Sequence, residues 1–277
     1  MAQAHPAPSS ATAAFGPRLR AWRERRRLSQ LALALDAGIS QRHLSFVESG
    51  RAAPSRDMVL LLAEQLDVPL RERNALLLAA GFAPRFAERP LDDPALLGIR
   101  GVVDTILRAH GPNPALAVDR HWHMVAANAA VAPLLAGVAE DALVRPPVNV
   151  LRLSLHPGGL APRIANLPVW KAHLLERLRQ QAQASGDPAL AALREELSML
   201  GGAAQEAVSQ VSLPADAVAV PLELETAEGR LSLISTTTVF GTPMEVALSE
   251  LAIEAFYPAD EITAQRLLRL QGTGTPP

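Results

Sequence analysis

Cysteine is absent from this 277-residue chain. That excludes disulfides and thiolate metal sites and is compatible with a reducing compartment. Lysine is nearly absent: Lys171 stands alone against 25 arginines. Aromatics are scarce, at three Trp, one Tyr and six Phe. No apolar run approaches the roughly 18 residues that a membrane span requires. The opening MAQAHPAPSSATAAFG lacks the basic start and apolar core of a secretory signal. These absences predict a cytoplasmic protein with no membrane partner. Also missing are a glycine-rich phosphate loop, a nucleophile elbow and a zinc-protease helix. No catalytic residue, enzyme activity or cofactor is therefore expected.

What is present can fill real cores, since 49% of the residues are apolar. The length suggests two domains. Net charge is only −2, but it is unevenly spread. Residues 15–89 hold 13 arginines against 8 acids, and the remainder holds 13 basic against 20 acidic residues. A basic front joined to an acidic back suits a nucleic-acid-binding module tethered to one that does not bind nucleic acid.

Residues 30–50, QLALALDAGISQRHLSFVESG, form the strongest motif. Ser29 caps a first helix over 30–36, and Gly38 supplies a left-handed turn residue. Ser40 caps a second helix over 41–49, stopped by Gly50. Leu33, Ala34, Ala37, Ile39, Leu44 and Val47 form the inner faces. The polar outer face of the second helix is left free for a major groove, which is the geometry of a helix-turn-helix. A helix over 15–27 precedes it, with Leu19 and Trp22 buried and six arginines crowding the rest. Some of these arginines are expected at phosphates. Helices over 55–66, with Met58, Leu61, Leu62 and Leu66 inward, and over 70–80, ended by Gly81, complete an all-α five-helix domain at 15–82.

Residues 1–14 read as a disordered tail, 83–94 as a proline-bearing linker, 95–270 as a second domain and 271–277 as a frayed tail. In the second domain, a helix over 94–110 is free to bridge domains or to pack in a dimer interface. Strands at 115–118 and 122–126, then a helix from Asn128 to Leu135, resemble the start of a PAS-like sensor fold. Helices follow over 149–155, 162–184 (with Pro168 able to kink or restart it) and 188–200. A hairpin is predicted from strands 218–226 and 230–240. Pro221 places the first of these at a sheet edge. Residues 245–257 are ambiguous between strand and helix, and 259–270 is a closing helix. The fold class is an all-α helix-turn-helix domain followed by an α+β PAS-like domain.

Leu28-Ser29-Gln30, Ala34, Gly38-Ile39-Ser40, Leu44-Ser45, Glu48, Gly50-Arg51 and Pro54-Ser55 resemble the Cro/C1-type (XRE) DNA-binding family over 15–82. The resemblance implies a phosphate contact from Gln30 and a groove-facing set of Ser40, Gln41, Arg42 and Ser45. His43 and Arg51 join them as candidate DNA contacts. Arg42 or Gln41 can contact guanine or adenine through two hydrogen bonds, worth ~1–3 kcal/mol of discrimination each. Glu48 is expected to bond within the fold, because phosphate repels it. Taken whole, the chain resembles the MmyB-like regulators. Arg42 to Glu48, Pro69 to Asn74, Leu91-Asp92-Asp93-Pro94, Asp119-Arg120-His121-Trp122, His156-Pro157-Gly158 and Phe240-Gly241-Thr242-Pro243 carry this resemblance. It implies a transcription regulator of double-stranded DNA, controlled by a small apolar, fatty-acid-like ligand; a homodimer is expected because one such module buries too little DNA for tight binding. The alternative is an interaction or dimerisation regulator with no such ligand.

For a ligand site, Asn149, Arg152 and His156 fall on one side of a helix, and Arg152 with His156 can hold a carboxylate. Trp122, Trp170 and Phe240 can line an apolar cavity, although ordinary packing serves such residues equally. His121 and His123 share a strand face. With no carboxylate or third histidine at an obvious ligand offset, no metal is expected there.

Overall fold

The computed structural model describes residues 10–90, 93–200, 220–241, 243 and 245–272. The chain divides into two compact units. The first comprises Met1–Arg89 with Thr242–Ser249, and the second comprises Pro90–Gly241 with Glu250–Pro277. The expected tail at 1–9, the start of the hairpin at 218–219, Leu91-Asp92 and the terminus 273–277 lie outside the described residues.

Five helices build the first unit: α1 (Ser10–Arg25), α2 (Gln30–Asp36), α3 (Gln41–Glu48), α4 (Arg56–Gln65) and α5 (Leu70–Ala79). Helix α1 begins at Ser10, ahead of the expected Phe15. Serine caps set three of the starts. The hydroxyls of Ser29, Ser40 and Ser55 accept from the amides of Ala32, His43 and Met58. Gly38 (φ 64°) lets the chain turn between α2 and α3, where a side chain would strain the backbone. The core joins Phe15, Leu19, Leu33, Leu44, Val47, Val59, Leu62, Leu66 and Leu77. Leu61, expected inward, is exposed, and Val59 takes its place. Gly16 is buried where α1 crosses the end of α3, and a Cβ there would lie 2.2 Å from the Glu48 carbonyl oxygen.

The expected linker is partly structured. The Asn74 side chain accepts from the amides of Arg85 and Phe86 and donates to the Phe86 carbonyl and to Glu88. Residues 85–88 are thereby held against α5. Ala87 bridges Glu245, and the Val246 amide donates to the Ala87 carbonyl. The short helix α11 (Val246–Ser249) therefore belongs to the first unit, with Val246 and Ala247 buried.

The second unit is α+β. Its elements are α6 (Leu97–Ala109), β1 (Ala115–Val118), β2 (Met124–Ala127), α7 (Ala132–Leu135), α8 (Val150–Leu155), α9 (Leu167–Ser185), α10 (Pro188–Met199), β3 (Leu222–Thr226), β4 (Gly229–Val239), β5 (Ala252–Pro258) and α12 (Glu261–Gly272). The five strands form one antiparallel sheet, ordered β2-β1-β5-β4-β3. Pro221 precedes β3, an edge strand, as its missing amide hydrogen predicts. Pro168 falls in the first turn of α9, which starts there and does not kink. The ambiguous stretch 245–257 resolves into α11 and then β5, and the slip in apolar spacing marks the break.

Each face of the sheet buries its own cluster. Ala115, Ala117, Ile253 and Ala255 pack with Val103 and Leu107 of α6. On the other face, Leu116, Val118, Leu222, Leu224, Leu231 and Leu233 pack with Trp170, Leu174, Leu178, Leu190, Leu193 and Leu197 of α9 and α10. Asn128 does not open a helix. Its side chain accepts from the Ala115 amide and donates to the Leu107 and Asn113 carbonyls, fixing the entry to β1. Lys171, the lone lysine, is buried and donates to the carbonyls of Ser198 and Leu200, capping α10.

Candidate functional site

The outer face of α3 is the first candidate site. Leu44, Val47 and Glu48 are buried, while Gln41 and Arg42 are exposed and Ser45 is half-buried. Ser40 begins the helix, and its hydroxyl is engaged as the cap. Phe46, which sequence reading passed over, carries two cations: the Arg42 and Arg51 guanidiniums lie 5.4 and 5.9 Å from its ring centroid. Such stacking holds long side chains in place while leaving their N–H groups free to donate. His43 turns away from this face. It is half-buried, with Nε2 3.3 Å from Met58 Sδ on α4.

Behind the face lies a buried ion pair. Arg23 Nε and Nη2 donate to the Glu48 carboxylate at 2.7 and 2.9 Å, and Gln30 Nε2 donates to the same carboxylate at 2.8 Å. Glu48 does bond within the fold, as expected. Gln30, expected to position a phosphate, here ties α2 to α3. Arg26 donates to the Leu66 and Asp67 carbonyls at the end of α4. Two of the six crowded arginines of α1 and the turn after it thus serve the fold, and Arg18 and Arg27 are exposed.

The second candidate site is a cavity between the sheet and helices α7 to α9. It holds about 100 Å³, less than the roughly 300–1,000 Å³ of most small-ligand pockets. The lining is almost wholly apolar: Leu116, Trp122, Met124, Leu134, Leu151, Trp170, Leu174, Leu224, Leu233 and Phe256 are among it. Both indole N–H groups are satisfied, Trp122 by Gln181 Oε1 at 2.8 Å and Trp170 by Ser154 Oγ at 3.1 Å. Polar lining comes from Ser154, Ser235, Arg177 and Glu254. Arg177 forks onto the buried Glu254 at 2.7 and 3.0 Å, bonds Thr237 Oγ1, and lies 4.7 Å over the Trp122 ring. His173 stacks on Trp170 at 5.4 Å. Burial, then the nearby Arg177 charge, push its pKa down, against a smaller opposing pull from Glu254.

Of the residues expected at a ligand, the structure brings Trp122 and Trp170 together on the cavity. The other four lie elsewhere. Asn149 caps α8, accepting from the Leu151 and Arg152 amides and donating to the His121 carbonyl. Arg152 forks onto Glu196 with both bonds at 2.7 Å, a hydrogen-bonded pair that raises the Arg152 pKa and lowers that of Glu196. His156 accepts from the Gly158 amide and faces Glu140. The turn after it is tight, since a Cβ on Gly159 would lie 2.2 Å from the Leu153 carbonyl oxygen. Phe240 packs in the cluster on the opposite face of the sheet. The missed residues, Arg177 and Glu254, did leave signals. Arg177 follows Trp170 by seven and Leu174 by three, on the same helix face. Glu254 interrupts the apolar stretch of a central strand.

A helix-turn-helix unit in the same chain as an α+β unit with an apolar cavity defines a DNA-binding regulator with a separate ligand-binding domain. The sequence comparisons agree. Residues 19–73 match the helix-turn-helix family, and residues 99–270, more than half of the chain, match the MmyB-like transcription regulator ligand binding domain. The chain belongs to the MmyB-like transcription regulators. It is also similar to the restriction-modification controller protein C.AhdI from Aeromonas hydrophila, at 35% identity, covering 24% of this chain and 98% of that one, with a TM-score of 0.23. No curated protein matches the chain.

Proposed function

We propose that the chain regulates transcription as a homodimer, reading base edges with Gln41 and Arg42, and that the cavity takes a small, mainly apolar ligand. The observation that carries the ligand reading is the lining, in which aliphatic and indole surfaces surround a single polar edge. The sheet, whose opening strands are followed by short helices, supports a PAS-like sensor fold. The exposed pairing of Arg42 and Arg51 on Phe46 supports the reading role of α3. Arg51 and exposed arginines of the first unit serve the phosphates, so affinity falls steeply with salt. One such module covers too little DNA for tight binding, which favours two copies on a near-palindromic site. Among the described residues, no helix is long and apolar enough to cross a membrane.

The head group of a ligand meets Arg177 already neutralised by Glu254. A neutral hydroxyl or ester group therefore fits this edge directly, whereas a fatty-acid carboxylate has to displace Glu254. Native mass spectrometry of freshly purified protein, followed by denaturing extraction, tests the reading. A dimer with extra mass that extracts as a neutral lipid or a fatty acid supports it and distinguishes the two head groups. A clean dimer that takes up neither when offered both favours the ligand-free interaction regulator.

A further inference from the structure

We propose that Asp119, His121 and His123 form a binding site for one divalent transition-metal ion. One ligand atom from each of the three residues lies within 4.8 Å of those of the other two. Sequence spacing made the histidines look unsupported, because the carboxylates reach them through a turn and from another helix.

The turn organises the donors. Asp119 Oδ1 accepts from the amides of His121 and His123, each at 2.8 Å. That anchors one oxygen and leaves Oδ2 against His123 Nδ1 at 3.1 Å. Asp187 is held in the same way. Its Oδ1 caps α10 through the Ala189 amide at 2.9 Å, and its Oδ2 meets His121 Nε2 at 2.9 Å. Each imidazole thus faces a carboxylate oxygen whose partner oxygen is fixed by backbone. Such outer bonds orient metal ligands before the metal arrives. Trp122, between the two histidines, has φ 67°, a left-handed conformation unusual for so bulky a residue.

Donor type and charge select the ion. Two imidazole nitrogens with a carboxylate oxygen suit zinc, whereas calcium and magnesium prefer oxygen donors throughout. Arg120 lies 3.8 Å from Asp187 and 3.6 Å from Glu250. The Asp119 and Asp187 carboxylates beside the imidazoles attract a cation. Zinc–nitrogen and zinc–oxygen bonds of about 2.0–2.2 Å require the rings to swing inward. They have the freedom to do so, because the His121 and His123 side chains are 28% and 30% exposed. Bound metal would clamp the turn that holds Trp122 on the cavity wall.

The test titrates metal-stripped full-length protein with zinc chloride by calorimetry, and with cobalt(II) by absorption spectroscopy. Asp119→Asn keeps an oxygen for the two amides but loses the anionic donor; His123→Gln removes an imidazole; His110→Gln serves as the control. The expected result is one ion per chain, weakened at least about tenfold by Asp119→Asn and by His123→Gln and unchanged by His110→Gln. Wild-type cobalt protein should show intense tetrahedral bands that His123→Gln abolishes. Absence of saturable one-to-one binding by wild-type protein overturns the proposal even if a variant fails to fold. So does equal binding by folded variants, which would leave two ordinary histidine–aspartate hydrogen bonds.

Discussion

Glu48 shows how a buried residue of α3 can matter through the fold alone. It receives Arg23 and Gln30 where only 3% of its side chain is exposed. Removing one member of a buried pair strands the other charge, at a cost of about 3–5 kcal/mol. Glu48→Ala should lower stability by that order in urea denaturation. Arg42→Ala, on the exposed face, should leave stability within about 0.5 kcal/mol. It should reduce discrimination between operator and random DNA by roughly 1–3 kcal/mol in a gel-shift competition. Undiminished discrimination would remove Arg42 from the reading set. His173 makes a pH-dependent contribution. Its folded pKa is pushed below the ordinary 6.5, first by burial and then by Arg177. As pH falls through 6.5 the unfolded chain takes the proton before the folded chain does, so stability drops on acidification. His173→Phe should lose less stability than wild type between about pH 7.5 and about pH 5.5 in denaturant melts. An equal loss would place the acid sensitivity elsewhere.

Among the elements, Gly16 sets local propensity against packing. Alanine is the better helix former by roughly 1 kcal/mol. Its Cβ, however, would lie 2.2 Å from the Glu48 carbonyl oxygen, which is backbone and cannot turn aside. Packing should win, and Gly16→Ala should destabilise by on the order of 1–3 kcal/mol in thermal melts. The helices of the first unit were legible because serine caps and glycine stops are local signals; Ser29, Ser40, Ser55 and Gly38 act as read. Leu61 was misplaced because it borders the buried stripe, next to Leu62, and its neighbour on the stripe is Val59, two residues earlier. The cavity was half legible. Trp122 and Trp170 stand out by size, but pairing decides which polar groups face a cavity. Arg152 looked available until Glu196 approached it from 44 residues away, and Glu254 meets Arg177 across 77 residues.

For the whole molecule, the proposed pairing of two copies rests on the half-site argument, and the outer side of α6 offers a surface for it. One side of α6 packs on β1 and β5 through Val103 and Leu107, while Leu97 and Val102 are 62% and 51% exposed. Val102→Glu should shift the protein to monomer in light scattering and weaken operator binding while leaving the fold intact by circular dichroism. A dimer unaffected by this change would place the interface on another surface. The charge division between the two parts of the chain was visible in composition alone. The discontinuity of the units was not, because no local signal marks a segment that leaves one unit to pack in the other.

That discontinuity bears on how the gene can be cut. The peptide crosses between the units after Arg89, before Thr242 and after Ser249. A fragment ending at residue 89 would lack the buried Val246 and Ala247 and the Arg89–Glu245 ion pair. It would therefore unmask apolar surface in the DNA-reading half. Recombination at a single breakpoint cannot transplant either half whole, so reader and sensor would be inherited as one block.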